Sequence, residues 1–161
     1  MSLLDISCNL PSKFVVIDTP HDMEFIAVSI KMNGHRIFIT CSYISPSSLQ
    51  SVYMKHADAI SSIAHSSKNG EFIFVLGDFN LPSIQWKYLP DDGYFIQMKL
   101  NSNFDEFFNI LYDLDLFQIN GIPNINFKIS HLIFIYLNEV TNSFIERSFP
   151  ITSPEDFYHS F

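Results

Sequence analysis

The chain is short of cysteine, of positive charge and of long apolar runs, and each shortage removes a class of protein. Cys8 and Cys41 are its only two cysteines in 161 residues, too few for a disulfide framework. Both sit in apolar surroundings and read as small buried side chains. Lysine and arginine total 9 against 17 aspartates and glutamates, a formal net charge of −8. Nucleic-acid binders draw much of their affinity from neutralised phosphates and usually present a basic surface. The acidic balance therefore argues against tight DNA binding by this chain alone and fits better with a site that holds a cation. Residues 1–10 lack the basic start and apolar stretch of a signal peptide. No apolar run approaches the ~20 residues of a membrane-spanning helix. These features lead to the expectation of a soluble intracellular protein, cytoplasmic or nuclear. No internal repeat, low-complexity stretch or interdomain linker is visible.

What the chain does have is core-forming material. Hydrophobic residues make up 47% and aromatics 16%, with 17 phenylalanines, a composition that excludes disorder. The length fits one domain, residues 1–161. Phe14-Val15-Val16-Ile17 reads as a short strand stopped by Asp18-Thr19-Pro20. Glu24 to Lys31 and Arg36 to Tyr43 are strand-like, and Asn33-Gly34 between them is a type I′ hairpin signal. After Ser45-Pro46-Ser47-Ser48, apolar residues from Leu49 to Ala64 recur at spacings of three and four. They predict an amphipathic helix with a serine N-cap and a stop near Asn69-Gly70. Phe72 to Leu76 is an apolar run of strand length, suited to burial on both faces. Leu81 to Gly93 reads as a loop. Phe104 to Leu114 predicts a second amphipathic helix, capped by Ser102 or Asn103. Leu132 to Tyr136 is again strand-like, and the tail from Glu139 shows no clear helix. Strands and helices in this mixed order predict an α/β fold with helices packed on a sheet.

The residues best placed for chemistry follow the buried strand. In open α/β sheets ligands bind beyond the carboxyl ends of strands, where Gly77, Asp78 and Asn80 lie. Residues two apart in extended backbone point the same way, so Asp78 and Asn80 can converge on one point. A carboxylate beside an amide suits a hard cation and an attacking water. The competing reading is a solvated Asx turn closing the strand.

Three blocks in order give this segment a more specific meaning. Val75-Leu76-Gly77-Asp78-Phe79-Asn80, continued by Leu81-Pro82-Ser83-Ile84-Gln85-Trp86, resembles the extended G-D-x-N motif of the endonuclease/exonuclease/phosphatase superfamily, in the form found in endonuclease domains of non-LTR retrotransposons. Cys41 to Ser48 resembles the Y-x-x-P strand end before the family's first helix. Leu116 to Asn124 resembles the stretch after its second. The resemblance covers roughly residues 25 to 161. It implies a two-layered β-sandwich flanked by helices, incomplete at the N-terminus, and a Mg²⁺-dependent phosphodiesterase that nicks DNA. By that likeness Asp78 would orient or deprotonate the attacking water, and Asn80 would hold the phosphate or the nucleophile. Tyr43 would contact the phosphate, and His159 would stabilise the charged phosphorane with Asp156 as its support. A longer polyprotein with a reverse transcriptase is the implied context.

The chain departs from the family pattern at identifiable positions. The metal-binding glutamate of the upstream Q-E motif has no counterpart, and Glu24, at the start of a strand rather than after one, is a poor substitute. The metal ligand set is thus unknown from sequence. His131 occupies the place of the strand aspartate, and Tyr158 that of the aspartate beside the histidine. Three readings stand: a DNA-nicking enzyme with impaired activity, a non-catalytic remnant of a mobile-element endonuclease, and a small-molecule phosphatase of the same superfamily.

Overall fold

The computed structural model describes residues 11–16, 23–68, 71–81, 84–99, 104–119 and 131–136. Among the described residues, eight strands and two helices follow one another, with one helix after the third strand and the other after the sixth. They are β1 (Ser12–Phe14), β2 (Glu24–Met32), β3 (His35–Tyr43), α1 (Gln50–Ser66), β4 (Phe72–Asp78), β5 (Gln85–Leu89), β6 (Tyr94–Lys99), α2 (Asp105–Asp113), β7 (Leu116–Gln118) and β8 (His131–Tyr136). The strands form one mixed sheet in the order β1-β2-β3-β4-β8-β7-β6-β5. Among the described strands only β3 and β4 run parallel, because α1 carries the chain back between them, as a parallel crossover requires. The mixed α/β class with helices on a sheet is as the sequence indicated, and the described residues contribute one sheet of the expected sandwich.

The β2–β3 hairpin closes where the Asn-Gly pair demands. Asn33 has φ 52° and Gly34 φ 84°, the two positive values that a type I′ turn needs. Alternation then sorts the strands. Ala27, Phe38, Ile73 and Val75 point to one face, where they meet Val52, Ala57, Ile60 and Ile63 of α1 and Phe107, Phe108 and Leu111 of α2 in the main core. Ile30, Ile37 and Phe72 form a smaller cluster with Met32, Ile39 and Phe74. Those residues occupy the alternate positions and so the opposite face.

Several expectations are corrected here. Neither helix has a side-chain N-cap: the N-cap residues are Leu49 and Phe104, and neither caps through its side chain. The serines before α1 engage one another instead, with Ser45 Oγ 3.1 Å from Ser47 Oγ and the Ser48 amide donating to the Ser45 carbonyl. Asp105 and Glu106 in the first turn of α2 supply the favourable charge that a cap would have complemented. The segment from Leu81 to Gly93, read as a loop, contains β5. Its turn residues Pro90 to Gly93 close a hairpin to β6, in which Tyr88 pairs with Phe95 and their rings lie 4.9 Å apart. The first strand lies at Ser12–Phe14, with Val15 and Val16 of the expected run after its end and Ile17 outside the described residues. No described helix is long and apolar enough to cross a membrane.

Candidate functional site

The carboxyl ends of β3 and β4 bring the sequence-nominated residues together. Register pairs Tyr43 with Asp78 and Asp78 with His131. On the other side of β3, Tyr43 pairs with Glu24. Glu24, Tyr43, Asp78 and His131 therefore form one row across four adjacent strands, each about 4.8 Å from the next. Because β2 runs antiparallel to β3, the start of one strand lies beside the end of the other, so Glu24 belongs to the site edge. In the sequence, its place at the start of a strand hides this. His159 and Asp156 lie outside the described residues, and His131 is placed by backbone register alone.

The turn after β4 is closely held. Asp78 Oδ1 accepts from the Asn80 amide at 3.3 Å, an Asx turn. Asn80 takes φ 47°, a left-handed conformation that asparagine tolerates better than most residues. Its side-chain amide donates to the Ile44 carbonyl at 2.9 Å, while the Ile44 amide donates to the Asp78 carbonyl at 3.0 Å. The segment after Tyr43 and the turn after Asp78 are thus tied to each other in both directions. Gly77 is required by crowding rather than by a positive φ. A Cβ there would stand 2.7 Å from the Ser42 carbonyl oxygen and 2.8 Å from the Phe79 ring.

Behind the turn lies a dry layer that sequence reasoning did not single out. Phe79, between Asp78 and Asn80, is fully buried. Tyr53 of α1 donates its hydroxyl to the Phe79 carbonyl at 2.7 Å. Burial, reinforced by the Asp78 carboxylate, pushes the Tyr53 phenol up to about 12, so it stays protonated as a donor. His56, one helical turn on, is fully buried and meets the Phe79 ring edge-on at 5.0 Å. Its Nε2 lies 2.8 Å from Ser42 Oγ, and its Nδ1 has no hydrogen-bond partner among the described residues. Burial lowers the imidazole to about 3, so His56 is neutral near pH 7. The signal for both residues was present as a polar i, i+3 pair on the apolar face of α1.

The donor set can be tested against the Mg²⁺ that the sequence resemblance implies. Mg²⁺ prefers hard oxygen ligands and is commonly held by one or two carboxylates, with waters and substrate phosphates completing the shell. The Asp78 carboxylate and the Asn80 amide oxygen are of that type and fit this pattern at its minimum. Among the described residues no group of three histidine, cysteine or acidic side chains is placed to hold a metal by itself.

No family model and no curated protein matches the chain, but solved structures do. The endonuclease domain of TRAS1, a telomere-specific non-LTR retrotransposon, matches with TM-score 0.55 and 14% identity over 80% of this chain and 54% of its own. The chain has an endonuclease/exonuclease/phosphatase-like fold. Humanized D. rerio TDP2 matches at TM-score 0.38 and 10% identity, over 81% of this chain and 49% of that one. An endonuclease/exonuclease/phosphatase family protein from Leptotrichia buccalis matches at TM-score 0.37 and 14% identity, over 70% and 42%. The chain spans about half the length of the solved structures it matches.

Proposed function

We propose that this endonuclease/exonuclease/phosphatase-like domain carries part of a divalent-metal-dependent phosphodiesterase site acting on DNA, with turnover weakened by the substitutions around it. The observation that carries the reading is the Asp78–Asn80 turn, fixed at the end of β4 and in register with Tyr43. In the reaction a water oxygen attacks phosphorus and the phosphoester oxygen departs. Asp78 accepts the proton of that water, a role open to a carboxylate within hydrogen-bond reach of the nucleophile. Asn80 retains a second amide hydrogen and its carbonyl oxygen for the phosphate or the nucleophile, since one N–H is committed to Ile44. The Tyr43 hydroxyl hydrogen-bonds a phosphate oxygen. His159, supported by Asp156, stabilises charge on the phosphorane. Mg²⁺ held at the Asp78–Asn80 turn would offset negative charge developing on the phosphoryl group.

His131 beside Asp78 and the net charge of −8 favour a second reading, a folded remnant without turnover. Supercoiled-plasmid nicking with Mg²⁺ separates the two. Relaxed circles that form in Mg²⁺, vanish with EDTA and vanish in Asp78→Ala are expected. Folded protein at high concentration that leaves the plasmid supercoiled would establish the remnant. Faster hydrolysis of a phosphomonoester than of the plasmid would instead indicate a small-molecule phosphatase.

A further inference from the structure

Asp78 ends β4 and Asn80 lies beyond it, and the turn is held from behind as well as through Ile44. Two of the contacts that hold it from behind come from one turn of α1, beside the Phe107 ring of α2 at 6.2 Å from Phe79. Tyr53 and His56 are three residues apart and both reach Phe79, the first through the backbone carbonyl and the second through the ring. His56 also holds Ser42, the neighbour of Tyr43, through its Nε2. A single helical turn therefore references both strand ends of the site to the same buried point. The surroundings make those contacts rigid. The Tyr53 ring packs edge-on against Phe104 at 4.9 Å and Phe107 at 5.8 Å, and His56 against Phe25 at 5.6 Å. Gly77 leaves no slack, because the Phe79 ring already fills the volume its Cβ would need. Side chains locked in this way hold a catalytic constellation in place without touching substrate.

We propose that Tyr53 and His56 are positioning residues that set the geometry of Asp78 and Asn80 through Phe79. The catalytic consequence rests on the phosphodiesterase reading, whereas the structural consequence does not, and the test reads both. Amide hydrogen exchange would be followed by NMR on the full chain and on Tyr53→Phe, which removes the hydroxyl and keeps the ring. The Ile44 and Asn80 amides, bonded to the Asp78 carbonyl and carboxylate, are expected to lose protection about tenfold, the loss of roughly one hydrogen bond. Amides at the centre of the β2–β3 ladder should stay within about twofold. His56→Gln retains a donor for Ser42 and removes the ring from Phe79, and the same local pattern is expected. Protection that falls equally everywhere, or not at all at Ile44 and Asn80, would overturn the proposal. Where the wild type nicks DNA, Tyr53→Phe should lower kcat about tenfold with KM unchanged, the pattern of an interaction lost in the transition state. An unchanged kcat would overturn the catalytic half. A wild type without nicking would defeat the phosphodiesterase reading and leave the exchange pattern to decide this one.

Discussion

Lowering the pH from 7 to 5 is expected to destabilise the fold by about 2 kcal/mol through His56 alone. The imidazole is fully buried, and that burial lowers its pKa from 6.5 to about 3. The unfolded chain therefore binds a proton as the pH drops through 6.5, while the folded chain does not until the pH nears 3. Stability is lost over that window, by up to about 1.4 kcal/mol per pH unit. A pH of 5 lies about 1.5 pH units below the unfolded pKa of 6.5, which at about 1.4 kcal/mol per unit gives the figure of about 2 kcal/mol. Ordinary carboxylates titrate lower, near pH 4, and contribute little above pH 5. Urea unfolding at pH 7, 6 and 5 would read the effect through Trp86, the only tryptophan, which packs edge-on against Phe108 at 5.6 Å. With a slope of about 2 kcal/mol/M the midpoint should fall by about 1 M. His56→Gln, which cannot titrate, should lose far less over the same range. Equal losses in the two proteins, or no loss in the wild type, would refute the assignment of the pH dependence to this buried ring.

Other perturbations follow from the site's construction. Gly77→Ala should cost about 1–3 kcal/mol in denaturant melts, because its methyl group meets a backbone carbonyl and a locked ring. Phe79→Ala removes a fully buried ring and should cost about 3–5 kcal/mol by the same measurement. Gly34→Ala places a Cβ at φ 84° with open space around it, so only backbone strain is added, about 1 kcal/mol.

The sequence was most readable where period and turn chemistry agreed. The Asn33-Gly34 hairpin, the three-and-four spacing of α1 and the apolar run of β4 each carried one meaning, and each element formed. The β5–β6 hairpin was missed because Pro90 to Gly93 are loop residues, and the flanking Trp86, Tyr88 and Phe95 alternate too briefly to outweigh them. The cap of α1 was misplaced because Ser45, Ser47 and Ser48 satisfy one another in a preceding turn. Asp78, Asn80 and Tyr43 were nominated by motif and meet in space. Glu24 was discounted because a strand's start and its neighbour's end become the same place only once the pairing direction is known. Tyr53 and His56 escaped notice since polar residues on a helix's apolar face acquire purpose only from what that face covers, here Phe79.

The central claim is that Asp78 is the base of a phosphodiester-cleaving site. Asp78→Asn tests it most directly, since the amide keeps the shape and an acceptor oxygen for the Asn80 amide while losing the charge and basicity. Plasmid nicking in Mg²⁺ at equal concentrations of folded protein is expected to fall at least a hundredfold, in the range typical of a lost general base, with the urea midpoint little changed. Nicking that persists in Asp78→Asn at the wild-type rate would contradict the claim.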